Sequence, residues 1–198
     1  MKPFVFVLCL LPLALVLAQV FGFAGGLGAN PVETLQDHFG EWGLRFLLVA
    51  LAVTPLRRLT GLAALARYRR MLGLFAFTYV AAHFLVYVGL EQRFSLAPLA
   101  EDVLERPYIT VGFASFLVLL ALAATSTLKA RRRLGRRWTT LHRGAYVAAV
   151  LAVWHYWWQV KKDLSEPLIY AAVLALLFAV RLWYRQRDSA RRRSAATA

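Results

Sequence analysis

Four imidazoles are the side chains of this sequence best suited to chemistry: His38, His83, His142 and His155. A neutral imidazole is the standard axial ligand of haem iron, and it is also a carrier of protons near neutral pH. His83, His142 and His155 fall inside long apolar stretches. Ionisable groups at membrane depth are costly, so they face the interior of a helix bundle and serve a function there. For each histidine alone, a purely structural hydrogen bond to a neighbouring helix weighs as much as ligation. His38, beside Asp37, reads as a solvated surface histidine in a loop. Cys9 is the only cysteine, so no internal disulfide forms. With no C-x-x-C-H site and no cysteine cluster, a redox group would be held without covalent attachment.

The elements that must position these rings are spans of a membrane. The 198 residues are 60% hydrophobic, and apolar runs of roughly 17–20 residues recur, about the thickness of a bilayer's hydrocarbon core. Six spans are predicted: Phe4 to about Phe23, about Trp42 to Thr54 ending at Pro55 with room for N-terminal turns that begin earlier, Met71 to Leu90, Tyr108 to Leu128, Trp138 to Val160, and Pro167 to Tyr184. A retained first span is favoured over a secretory signal, because its apolar stretch is long and no clear A-x-A site follows. Pro107 and Pro167 lie near helix starts, where a missing N–H is tolerated. No sequence repeat and no soluble domain is evident, and the tail from about 186 to 198 reads as disordered and polar.

Charge gives the orientation. The formal net charge is +14, which in a soluble chain would raise nucleic acid as a partner. Here the arginines cluster between apolar runs, and no nucleic-acid binding is expected. Arg57, Arg58, Arg67, Arg69 and Arg70 follow span two; Lys129, Arg131, Arg132, Arg133, Arg136 and Arg137 follow span four. The alternate loops carry Glu33, Asp37 and Glu41, then Glu91, Glu101, Asp102 and Glu105 against Arg93 and Arg106. The last loop mixes Lys161 and Lys162 with Asp163 and Glu166. Basic loops stay in the cytoplasm, so both termini are expected inside.

Depth then pairs the histidines. His83 lies about 18 Å into span three from the cytoplasmic side, at about 1.5 Å per residue. His155 reaches the same outer level on span five, while His142 lies near its inner end, roughly 20 Å away by the same rise. His83 and His155 thus meet the requirement for sandwiching one haem, and His142 would serve a second. Arg69 stands on nearly the same helical face as His83, one level inward. It would approach a propionate or ligate in an unusual way, although a membrane anchor is the ordinary role for such a charge. His142 and His155 are about 140° apart on an ideal helix, so either two haems sit at different angles or the helix is distorted near Gly144.

The stretches Gly28-Ala29-Asn30-Pro31-Val32-Glu33, Leu51-Ala52-Val53-Thr54-Pro55-Leu56-Arg57 and Arg67-Tyr68-Arg69-Arg70-Met71-Leu72-Gly73 match a known pattern. So do Arg106-Pro107-Tyr108-Ile109-Thr110-Val111-Gly112, Thr125-Ser126, Leu134-Gly135-Arg136-Arg137-Trp138, Leu141-His142-Arg143, and His155-Tyr156 with Lys161-Lys162-Asp163. Over nearly its whole length the chain resembles the YedZ/MsrQ family, the haem-binding membrane subunit of the periplasmic protein-methionine-sulfoxide reductase system. The wider group is the ferric reductase and NADPH oxidase membrane domains. The resemblance implies a single all-α domain over residues 1–198: a six-helix b-type cytochrome of the bacterial inner membrane, with one or two haems and no catalytic domain of its own. It implies electrons taken from quinol, or through flavin from a cytoplasmic flavin reductase, and passed to a periplasmic molybdopterin enzyme that reduces methionine sulfoxide in oxidised proteins. His83, His142 and His155 fall on the family's haem-associated positions and Arg69 on its basic one. FMN is a further cofactor in some members, with no residue here to assign to it. The chain lacks the second span-three histidine of the larger oxidases and their cytoplasmic FAD and NADPH domain.

The expected mechanism is a two-sided relay, with electrons leaving at the acidic outer face. The rival readings are a haem-free transporter or proton conductor using the same imidazoles, and a passive membrane anchor. Axial ligation, which colours the protein, separates the first from both others.

Overall fold

A computed structural model describes residues 2–160 and 163–196, so Lys161 and Lys162 of the last loop lie outside the described residues. The described residues form helices joined by short turns, with no strand among them. In chain order these are α1 (Lys2–Val20), α2 (Pro31–Thr60), α3 (Arg69–Val86), α4 (Leu96–Glu105) and α5 (Pro107–Ala124). There follow α6 (Leu128–Leu134), α7 (Arg136–Leu141), α8 (Gly144–Gln159) and α9 (Ser165–Ala196). A 3₁₀ stretch, Ala63–Tyr68, leads into α3, and a π turn, Tyr87–Glu91, ends it.

Five helical segments are long and apolar enough to cross a membrane: Lys2–Val20, Pro31–Thr60, Ala63–Glu91, Pro107–Ala124 and Ser165–Ser194. The expected fifth span is divided. Its stretch from Trp138 to Val160 forms α7, a turn at His142 and Arg143, and then α8 of 16 residues. At about 1.5 Å per residue α8 is about 24 Å long. The break falls where Gly144 packs against α5; a Cβ there would stand 3.3 Å from Val118 Cγ1. The carboxy-terminal stretch read as a disordered tail continues α9 as helix to Ala196.

Local chemistry explains the boundaries. The Asn30 side chain caps α2, accepting from the Glu33 amide, and Pro31 occupies the first helical position, where its lack of an N–H is harmless. The helix therefore begins upstream of the polar stretch, and Asp37, His38 and Glu41 lie on α2 rather than in a loop. Gly61 closes α2 in the left-handed conformation, φ 72°, with its amide bonded to the Arg57 carbonyl. Only glycine takes that conformation without strain.

Pro55 does not end α2 as the sequence predicts. Proline cannot donate to the carbonyl one turn earlier, which here belongs to Leu51. Arg181 on α9 supplies the missing donor: its Nη2 bonds the Leu51 carbonyl, and its Nη1 donates to the Tyr146 hydroxyl at 2.8 Å. At membrane depth such rescue of a freed carbonyl is what makes an interior proline tolerable. A comparable plug holds α1. The buried Tyr79 hydroxyl donates to the Cys9 carbonyl at 3.0 Å and accepts from the Leu13 amide at 2.9 Å. It thus stands between the two ends of one helical rung beside Pro12. His38, expected to be solvated, instead donates from Nε2 to the Pro12 carbonyl at 2.9 Å.

The packing is two helix hairpins face to face. α2 packs along α3, and α5 along α8; lighter contacts of α3 with α5 and of α2 with α8 join the pairs. Small residues let the helices approach, as in membrane bundles generally. A Cβ on Gly43 would stand 2.6 Å from Val80 Cγ2, and Ala76, Ala148 and Ala149 are fully buried. Ser115 adds a buried hydrogen bond from α5 to the Ala148 carbonyl of α8, 2.9 Å. One end of the bundle gathers Arg57, Arg58, Arg69 and the arginines of α6 and α9; the other gathers Glu33, Asp37, Glu41 and Glu91.

The Arg181–Leu51 contact yields a reciprocal test. Arg181→Leu orphans the Leu51 carbonyl and is expected to cost about 1–3 kcal/mol of stability, measured by thermal unfolding in detergent. Pro55→Ala restores a helical donor, so the double variant is expected to regain most of the loss. Equal losses with and without Pro55→Ala would refute this account of the helix.

Candidate functional site

The two hairpins enclose a cavity of about 470 Å³ toward the acidic end of the bundle. That volume lies within the usual range for a small-molecule or cofactor site. Its inner walls are apolar, from Leu44, Leu47, Val80, Phe113, Phe116 and Leu119. His83 of α3 and His155 of α8 project into it from opposite hairpins, with ring centroids 6.2 Å apart and ring planes at 79°.

Each ring is fixed in the same way. His83 Nδ1 lies 2.9 Å from the Gln36 carbonyl, and His155 Nδ1 lies 2.7 Å from the Tyr108 carbonyl. A carbonyl only accepts, so each Nδ1 carries the proton and each Nε2 keeps its lone pair. This is the arrangement that orients a metal-binding imidazole and raises the basicity of its free nitrogen. Glycines one helical turn after those carbonyls make room for the rings. A Cβ at Gly40 would stand 3.1 Å from His83 Nδ1, and one at Gly112 would stand 2.7 Å from His155 Nδ1.

The two halves are repeats of one device. In both, 47 residues separate the histidine from the carbonyl it bonds. A single shift of 72 residues along the chain turns His83, Gln36 and Gly40 into His155, Tyr108 and Gly112. It also turns the close pair Gly43 and Ala76 into Ser115 and Ala148, which meet through the buried hydrogen bond. The sequence showed no repeat, because what recurs is two carbonyls, two glycines and their spacing. The signal that could have found it is a histidine 43 residues after a glycine, twice.

His142 and Arg69 are elsewhere. His142 caps the end of α7, its ring stacked on Trp138 with centroids 3.8 Å apart and Nδ1 3.1 Å from the Trp138 carbonyl. Its Nε2 is buried with no hydrogen-bond partner among the described residues. Arg69, at the start of α3, is its charged neighbour and that of Arg181 at the basic end. Neither residue lines the cavity. The turn at His142 and Arg143 removes the uninterrupted helix on which the azimuth of His142 relative to His155 was reckoned, and it realises the expected distortion near Gly144.

The mouth of the cavity is polar. Glu33, Asp37, Glu41 and Glu91 contribute carboxylates, and Arg106 contributes a guanidinium. Glu41 pairs with Arg45 at 2.6 Å, and Arg45 Nε donates to the Tyr170 hydroxyl at 2.8 Å. At the π turn the Tyr87 hydroxyl and the Gln92 amide both donate to Asp102 Oδ2, each at 2.6 Å, tying α4 to the helix of His83. No cluster of three or more metal-ligating side chains is present among the described residues.

Two imidazoles on opposite sides of one metal need nitrogens about 4 Å apart, taking about 2 Å for each bond. Ring centroids 6.2 Å apart, in two rings that line one cavity, are compatible with that separation. Residues 39–153 match the family described as ferric reductase like transmembrane component.

The chain belongs to that family.

The match contains Arg69, His83 and His142 and ends just before His155. The chain is 52% identical to the protein-methionine-sulfoxide reductase heme-binding subunit MsrQ of Bordetella pertussis, across 96% of this chain and 93% of that protein. It is 55% identical to the protein of the same name from Rhodospirillum rubrum, across 90% and 85%. With that from Xanthomonas euvesicatoria it shares 47%, across 98% and 90%. Within the ferric reductase-like family, it is a member of the MsrQ group.

The glycines give a graded test. Gly112→Ala places a methyl against the His155 ring and is expected to destabilise the fold by about 1–3 kcal/mol, as overpacking does. Gly73 has nothing within 4 Å of its would-be Cβ. Gly73→Ala is therefore expected to be neutral or to gain up to about 1 kcal/mol from helix propensity. Equal melting temperatures for the two variants would contradict the close approach at Gly112.

Proposed function

We propose that this chain is a b-type cytochrome subunit that passes electrons across the bacterial inner membrane to a methionine sulfoxide reductase. The observation that carries the reading is the His83–His155 pair: two imidazoles from separate hairpins, each with Nδ1 tied to a backbone carbonyl and both lining one cavity. Bound between them, haem b supplies one-electron exchange at its iron. The protein's part is to hold and tune the group. His83 and His155 would hold the iron through their imidazole nitrogens. Gln36 and Tyr108 fix the rings through their carbonyls. Gly40 and Gly112 admit the rings close to the helices, and the apolar walls of α2, α3 and α5 keep water from the iron's surroundings.

The relatives' names supply the setting. They are haem-binding subunits of a protein-methionine-sulfoxide reductase, and the proposal gives this chain the same place. Its electrons come from quinol or from a cytoplasmic flavin reductase, with FMN as an intermediate carrier. They leave to a periplasmic molybdopterin subunit that repairs oxidised proteins. The basic end of the bundle then lies in the cytoplasm with both termini, by the positive-inside rule, and α8 is the sixth membrane-crossing element. The cavity opens at the outer, acidic end, the side from which a periplasmic partner would draw electrons. A second haem at the inner end would use His142, with Arg69 beside it, and would require the His142 ring to leave Trp138.

Purified full-length protein is expected to show a Soret band and a pyridine haemochrome of haem b. His83→Ala and His155→Ala are each expected to lose the colour of the outer site. One haem per chain, unaffected by His142→Ala, assigns His142 a structural role; two per chain, one lost in that variant, assigns it a ligand role. A colourless wild-type preparation with native helix content would overturn the cytochrome reading in favour of a proton conductor or an anchor.

A further inference from the structure

Four carboxylates and one guanidinium line the cavity mouth, and a haem brings two more carboxylates of its own. Propionates entering among Glu33, Asp37, Glu41 and Glu91 would meet like charge on most sides. Like charges brought together in a partly dehydrated site repel strongly unless a cation intervenes. Arg106 is the one Lys or Arg side chain among the described residues lining the cavity.

Its placement is built. Arg106 is the extended residue before Pro107 at the start of α5, two positions before the Tyr108 carbonyl that holds His155. Its Nε is 3.0 Å from Asp102 Oδ1. Asp102 is in turn held through Oδ2 by the Tyr87 hydroxyl and the Gln92 amide. The Tyr108 side chain lies beside the guanidinium and, with Asp102, holds its proton more firmly than usual. Nε is committed to Asp102 and the Tyr108 side chain also hydrogen-bonds the guanidinium; the N–H groups beyond these partners are left to donate to a planar carboxylate, for which a guanidinium fork is suited. The strap from Tyr87 through Asp102 to Arg106 also links the helix of His83 to the helix that positions His155.

We infer that Arg106 is a carboxylate-binding residue of the cavity, receiving the propionates of the haem gripped by His83 and His155, with Asp102 as the residue that positions it. This rests on the cytochrome reading above.

The test uses the full-length protein in detergent, with haem release to excess apomyoglobin and the midpoint potential as readouts. Arg106→Ala is expected to keep haem at first but to release it about tenfold faster or more, the loss typical of a charge-assisted hydrogen bond. Its midpoint potential is expected to fall, since a cation near the iron favours the reduced state. Arg106→Lys keeps the charge and is expected to lie between, and it carries the test if the alanine variant does not fold. Glu105→Gln, next in sequence but outside the cavity lining, is the control expected to change neither readout. Haem release and potential equal to wild type in both Arg106→Ala and Arg106→Lys would overturn the assignment while leaving the cytochrome reading intact. Absence of haem from the wild type would instead overturn the reading on which it rests.

Discussion

An imidazole at membrane depth has one N–H that must be satisfied, and in a helical bundle the available acceptors are already committed to the helices. This protein solves that problem with a helix carbonyl shared between its own ladder and a histidine from the neighbouring helix. The contact requires the two helices to come within hydrogen-bond reach, and hence a glycine beside the ring. Two carbonyls, Gln36 and Tyr108, and two glycines, Gly40 and Gly112, meet these conditions. Ring orientation, the free nitrogen and the cavity all follow from that one geometric demand.

The remaining structure keeps the hairpins in that register. Gly43 against Val80 and Ser115 against Ala148 set how closely the paired helices approach. α1 and α9 brace the outside through polar contacts that repair helices carrying proline: Tyr79 into the rung beside Pro12, and Arg181 onto the carbonyl freed by Pro55. These are directional interactions in a setting where apolar contact alone discriminates poorly between partners, because lipid is as apolar as the helix surface.

Much of this was legible from residue types. Alternating acidic and basic loops marked the two ends of the bundle, and the count from each basic end put His83 and His155 at one level. Pro31 stood outside the predicted spans, although with the Asn30 cap it starts α2 and brings His38 within reach of the Pro12 carbonyl. Pro55 misled because its rescuer, Arg181, is 130 residues from the carbonyl it bonds. The repeat was hidden for a chemical reason: Gln36 and Tyr108 act through main-chain oxygen, so nothing constrains their side chains to look alike. His142 was counted along an unbroken helix, and the turn at Arg143 was visible only as a glycine at 144.

Each histidine takes its orienting bond and its glycine from within its own hairpin, so neither ring depends on the other for its pose. The distance between the lone pairs is instead a property of how two prefabricated halves are seated against each other. The aim of each ring is thus set within one half, and the seating of the halves fixes only the span between them.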